Sequence, residues 1–322
     1  MILSSRLKAS AAIVARGVAG LALSFALIAG ATPTSARQAA TAPVQAPAAV
    51  PAIQGQGPAL WVVKDADSTL YLFGSVHVLR PTTGWESPRV KAAFDSASDV
   101  WFEISNPDDQ AAIVPLIQQY GVSPTYRNAT TLTTGELTLF ANAAHDLGLD
   151  AVKMDNFRPW FAGLMLSVTP LVKAGYDPKS GVEIVLKARA EAAGKPVHGF
   201  ETVDKQVRIL ADMPEAVQLA FLRETLKDYD EATVKLDEMV ADWARGDVPA
   251  IERLMVQEMK TDSPALYKAL LVDRNTDWAN QIQTLLQGSG TAFIAVGAAH
   301  LAGPDSVQAQ LKARGVDVEA VQ

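Results

Sequence analysis

Short apolar runs cluster toward the two ends of this chain, and long stretches of helical periodicity lie between them. Leu60 to Lys64 and Thr69 to Phe73 are strand-like runs separated by Asp65-Ala66-Asp67-Ser68, a pattern that predicts a hairpin with a polar turn. Ser87 to Ser96 reads as a helix with Pro88 in its first turn. Asp99 to Ile104 (DVWFEI) reads as a third strand. Leu132 to Leu147, Arg158 to Lys173 and Gly181 to Ala193 then read as helices. Thr133 or Thr134 opens the first, and Gly148 and Gly194 close the first and third. Pro196 to Phe200 is a short strand, and Pro214 to Arg245 and Val248 to Lys260 are long helices. Asn275 to Leu286 places Trp278, Ile282, Leu285 and Leu286 at helical spacing, with Asn275 as its N-cap. Ala292 to Val296 returns to strand, Asp305 to Ala313 to helix, and Val316 to Val321 to strand. The expected fold class is α+β, with a mixed central β-sheet built from N- and C-terminal strands and covered by a helical middle segment.

The beginning of the chain has a different character. Arg6, Lys8 and Arg16 precede an apolar stretch, Gly17 to Ala31, and no acid occurs before Asp65. Ala29-Gly30-Ala31 and Thr34-Ser35-Ala36 are small-residue cleavage candidates, so residues 1–36 read as a signal peptide. The stretch is short for a bilayer span, which takes about 20 residues. Export is therefore expected, to the periplasm or beyond, with no stable membrane insertion after cleavage. Residues 37–57, rich in Ala, Pro and Gln, read as a linker, and residues 58–322 as a single domain. The chain has no Cys, so an oxidising compartment would supply no disulfide and stability must come from the core. Loss of the three early basic residues takes the net charge from −7 to −10. An acidic chain with no basic cluster is a poor nucleic-acid binder, and that class is set aside.

Candidate chemistry begins with an echo. YLFGSVHVL and FIAVGAAHLAG each carry an apolar run, then Gly, two small or apolar residues, and His. The chain has only four His, and this pattern singles out His77 and His300. Each would sit just past a strand, where ligands bind in sheet-based folds, and imidazole there can ligate a metal or move a proton. Glu103 is an acid inside an otherwise apolar strand, either turned outward with Trp101 or buried with a partner. Glu201 follows the strand ending at Phe200, either capping the next helix or joining a site. Arg274 opposes the helix dipole at the expected helix start beside Asn275. It either pairs with Asp273 or Asp277 or anchors a substrate. His198 ranks below the two motif histidines, and His145 has no special context. Gly-x-Ser-x-Gly, His-Glu-x-x-His and a Gly-rich phosphate loop are all absent from the sequence.

Taken in order, LWVVKDADSTLYLFGSVHVL, VWFEIS, FRPWFAGLML, GVEIVLKARAEAAGKPVHGFETVDKQ, RNTDWANQIQTLL and FIAVGAAHLAGPDSVQAQLKARGVDVEAV resemble the TraB/GumN/Tiki family, nearest its bacterial GumN-like branch. The resemblance implies a fold similar to erythromycin esterases and ChaN haem-binding proteins. It implies that the two Gly-x-x-His motifs form the site, with His77, Glu103 and His300 as metal ligands. Glu103, Glu201, Arg274 and Asn275 then carry catalytic roles. The cofactor it implies is a divalent metal (manganese, cobalt or zinc), and the function a metal-dependent hydrolase, a metallopeptidase acting on a peptide or protein substrate. The alternative is a non-catalytic exported protein that binds a peptide, or haem and iron. Relatives often carry Gly-x-Asp where this chain reads Gly181-Val182-Glu183, which leaves the role of Glu183 open. Neither the substrate nor the oligomeric state is legible.

Overall fold

The computed structural model describes Val50, Pro51, Ile53 and residues 56–322. The expected signal peptide and most of the linker lie outside the described residues. Among the described residues no helix is long and apolar enough to cross a membrane.

Six strands form one sheet: β1 (Leu60–Lys64), β2 (Ser68–Ser75), β3 (Asp99–Ile104), β4 (Val197–Glu201), β5 (Gly290–Gly297) and β6 (Val318–Ala320), in the order β4-β3-β5-β2-β1-β6. β1 pairs antiparallel with both β2 and β6, while β2, β5, β3 and β4 run parallel. The sheet is therefore mixed and joins the two ends of the chain, as the hydrophobic pattern predicts. The β1–β2 turn is held by Asp65, whose Oδ1 accepts from the backbone N–H of Asp67 (3.1 Å) and Ser68 (2.7 Å). β5 lies between parallel neighbours, and Phe293 to Val296 are buried throughout. That double burial explains its unbroken apolar run.

Among the helices are α1 (Pro88–Ser96), α2 (Gln110–Tyr120), α3 (Thr134–Asp146), α4 (Pro159–Lys173), α5 (Val182–Ala192), α6 (Val203–Ala211), α7 (Glu215–Lys227), α8 (Ala232–Ala244), α9 (Asp273–Leu285) and α10 (Val307–Ala313). One face of the sheet packs Leu70, Leu72, Ile294 and Val296 against Trp278 and Ile282 of α9 and Leu311 of α10. The other face packs Phe73, Phe102 and Phe293 under α1, α5, α6 and α8, with Trp85, Leu186, Val207 and Trp243 in the same core. A further cluster of Phe140, Leu166 and Leu222 joins α3, α4 and α7.

Three helical expectations are revised. The stretch from Pro214 to Arg245 is two helices, α7 and α8, broken at Asp228–Glu231. Both bury apolar stripes, so periodicity alone shows no break. α2 was not expected at all: Pro115 sits inside it and reads as a helix breaker in sequence. Asn275 is not an N-cap. The helix begins at Pro264 and runs through a π-helical stretch, Lys268–Val272, into α9, so Asn275 lies about three turns inside it. Its side chain is thereby free for another partner.

Candidate functional site

Because β2, β3, β4 and β5 are parallel, their carboxyl ends meet along one edge of the sheet, where α/β folds place their ligands. Each of these ends brings at least one polar group. Ser75 closes β2 and His77 follows it, Glu103 lies near the end of β3, Glu201 ends β4, and Gly297 ends β5 just before the short turn carrying His300. Glu183 and Gln206 enter from α5 and α6, and Arg274 and Asn275 from α9. All of these side chains are buried.

Arg274 is the hub. Its Nη2 donates to Glu103 Oε2 (2.5 Å) and contacts Glu201 Oε2 (2.9 Å), its Nε donates to both Glu201 oxygens, and its Nη1 donates to the carbonyl of Leu270 (3.3 Å). The guanidinium also lies over the Trp278 ring, 4.6 Å from its centroid. Burial disfavours its charge, but Glu103 and Glu201 more than offset that and raise its pKa further. The expected alternatives for Arg274 resolve inward: Asp273 pairs instead with Lys268, and Asp277 with Lys205. Glu103 likewise turns inward, where Gly297 N–H donates to Oε1 (2.8 Å) and Gln206 Nε2 to Oε2 (3.0 Å).

The two motif histidines are held differently. Asn275 donates its amide N–H to the backbone carbonyl of Asp305 (2.8 Å), which leaves its Oδ1 as the acceptor for His300 Nδ1–H (2.6 Å). His300 Nε2 then carries the lone pair and accepts from Arg274 Nη1 at 3.1 Å. Burial, then the nearby charges of Arg274 and His77, push the His300 pKa well below its ordinary value of 6.5. For His77, Nδ1 bonds Glu183 Oε1 at 2.8 Å. Burial lowers the His77 pKa, but Glu183 and, more weakly, Glu103 outweigh that and raise it. Burial likewise opposes the charge of Glu183, yet His77 and Ser75 bring its pKa below the ordinary value. His77 Nε2 is buried, has no hydrogen-bond partner, and stands 3.8 Å from Glu103 Oε1. His300 Nε2 is also 3.8 Å from that oxygen.

The site residues expected from sequence are thus brought together: His77, Glu103, Glu201, Arg274, Asn275 and His300 form one cluster. Glu183, whose role the sequence left open, joins them, and the missed members are Ser75 and Gln206. The signal for Glu183 was an acid in the first turn of a helix with an otherwise apolar N-terminal face. Ser75 sat inside the motif but carried no separate signal. His198 lies apart on the flank of the sheet, stacked on Trp101 with ring centroids 4.6 Å apart, and His145 is exposed on α3.

The groups of this corner that could contribute to a divalent-cation site are His77 Nε2, a buried nitrogen without a partner, and the Glu103 carboxylate oxygen 3.8 Å from it. His300 would join them only by releasing its bond from Arg274. Among the described residues no group of three or more acidic or His side chains is already arranged as a metal cage.

Two consequences are measurable. An added Cβ at Gly181 would stand 2.2 Å from the backbone carbonyl oxygen of His77. Gly181→Ala should therefore cost about 1–3 kcal/mol, as overpacking does, and displace the His77 loop. A thermal melt within one degree of wild type would refute that close approach. The second concerns acid. His300 stays neutral in the fold, so below pH 6.5 the unfolded chain takes up a proton that the folded chain refuses, and stability falls as pH drops. His77 works in the opposite sense: its contribution is full below pH 6.5 and is lost as pH rises through its higher folded value. His300→Asn should therefore shrink the loss of urea stability between pH 6.5 and 5. An unchanged pH dependence would show that His300 titrates alike in both states.

The fold and the cluster together describe an α+β protein with a buried His–carboxylate–Arg centre at its strand ends. The chain belongs to the TraB/PrgY/gumN family, whose model matches residues 59–320. It is similar to YbaP, an uncharacterized protein of Escherichia coli K12, with 22% identity over 259 residues, covering 79% of this chain and 92% of that relative. An uncharacterized protein of Treponema pallidum is 21% identical over 266 residues, covering 77% of this chain and 78% of the relative. No solved structure gives a significant match.

Proposed function

We propose that this protein is a hydrolase of peptide or ester bonds whose reactive centre is His77. The observation that supports this most is the pairing of a clamped Nδ1–H with a buried, unpartnered Nε2 on one imidazole. An imidazole held this way accepts a proton from an attacking water and returns it to the leaving group, while the carboxylate behind it stabilises the cation formed in between. Glu183 takes that second role. Glu103 Oε1 stands 3.8 Å from Nε2, and the Gly297 N–H and Arg274 hold that carboxylate in place. Arg274 bonds Glu103, Glu201 and His300 together, so its part is to organise these groups. Asn275 sets the His300 tautomer. If manganese, cobalt or zinc binds, His77 Nε2 and Glu103, joined by His300, would hold it, and it would supply Lewis-acid polarisation of the scissile carbonyl. The His77 lone pair would then be committed to the metal, with a carboxylate taking the proton in its place. The leader-like residues 1–36 support action in the periplasm or outside the cell, on a peptide or protein substrate.

The test is an assay of peptide and ester libraries with and without added manganese, cobalt or zinc, alongside metal analysis by mass spectrometry. Cleavage by the wild type that fails in the His77 variants would establish the reading. Intact substrates under every condition would sink it, and co-purifying haem or peptide would instead favour a binding protein.

A further inference from the structure

Glu183 carries the His77 clamp, yet a glutamate has three side-chain torsions and does not hold one position unaided. Its second contact comes from Ser75. This residue ends β2 with no exposed surface, and its hydroxyl donates to Glu183 Oε1, the same oxygen that receives His77 Nδ1–H. Ser75 ends β2 and His77 lies two residues on, in the bend that follows the strand, and both reach Glu183 in the first turn of α5. A buried hydroxyl costs free energy unless it is bonded, and the carboxylate satisfies it.

We propose that Ser75 is a positioning residue: its hydroxyl fixes the Glu183 carboxylate so that it captures His77 Nδ1–H and leaves Nε2 facing Glu103. The proposal rests on the reading of His77 as the proton acceptor, but the placement it claims is observable without turnover. A hydroxyl that serves only to fill space would leave the His77 ring proton unaffected by its removal.

Ring N–H resonances of the full chain labelled with 15N-histidine provide the readout, and only four histidines compete for assignment. The signal missing in His77→Asn identifies the His77 Nδ1–H. In Ser75→Ala that signal should move upfield and exchange with water at least about tenfold faster, as expected when a hydrogen bond to a charged group is lost. Ser75→Thr keeps the hydroxyl and suits a strand, and should retain the wild-type signal. If Ser75→Ala fails to fold by circular dichroism, Ser75→Cys, similar in size but a weak donor, should show the same shift. A wild-type signal in the Ala or Cys variant would overturn the proposal. So would loss of the signal in a folded Thr variant, because packing rather than the hydroxyl would then decide. Where cleavage is measurable, kcat should fall in Ser75→Ala with KM unchanged, and Thr should restore it. If the resonances behave as expected but the wild type cleaves nothing, the hydrolase reading fails and the placement of Glu183 by Ser75 stands.

Discussion

Arg274→Ala should cost about 3–5 kcal/mol of folding stability, the range for removing one partner of a buried ion pair. The reason is the charge it would leave behind. Glu103 is fully buried and Glu201 nearly so, and Arg274 bonds both. Without it Glu103 keeps the Gln206 amide and the Gly297 N–H, both neutral donors, with the two histidine Nε2 atoms no nearer than 3.8 Å, and Glu201 keeps the Gln206 amide at 3.5 Å and Lys205 at 3.6 Å. Neither set compensates two carboxylates in a low-dielectric interior. Arg274→Lys should recover little, because a single ammonium cannot reproduce the fork that reaches Glu103, Glu201 and the Leu270 carbonyl together. Combining Arg274→Met with Glu103→Gln and Glu201→Gln should recover most of the loss, since neutral groups need no counter-charge. Urea unfolding followed by circular dichroism measures each step. A loss below about 1 kcal/mol for Arg274→Ala, the value of a surface pair, would show that the three charges are not coupled as the contacts indicate.

The second large effect is catalytic. His77→Asn should reduce cleavage by about 10²–10⁴-fold, the share of rate that a positioned acid–base group supplies. Asparagine is chosen because its amide offers a donor near the place of Nδ1, so Glu183 need not be left buried and unpaired. Stability should then change little while turnover collapses, which separates a catalytic role from a structural one. Glu183→Gln should give a smaller loss, because His77 would keep its Nε2 but lose the charge that stabilises its protonated form. Retention of wild-type cleavage by His77→Asn would remove His77 from the reaction, whatever the metal content of the protein.

Both large effects concern residues whose local setting was readable. The Gly-x-x-His turns show in the sequence because a strand that is buried on both faces must be apolar, and the glycine and histidine that end it interrupt that run. The acid in Val-Trp-Phe-Glu-Ile stood out for the same reason. Glu183 did not, since an acid in the first turn of a helix already has a local explanation in the dipole. α2 was hidden by Pro115, and the true start of the helix carrying Arg274 by a π-helical stretch that leaves no periodic mark.

The sequence by itself determined the strands, most of the helices, the joining of the chain's two ends in one sheet, and which six polar residues to look for in the cluster that the fold assembles. These follow from periodicities of two and 3.6 residues and from polar interruptions of apolar runs, and both are local properties. Only the tertiary structure decided who meets whom. Glu103 and Arg274 are 171 residues apart, and Ser75 and Glu183 are 108 apart. The parallel register of β2, β5, β3 and β4 sets the strand ends side by side, and the packing of α5 and α9 on opposite faces brings Glu183 and Arg274 to them. Contacts of that span depend on how whole elements pack, and no local pattern encodes them.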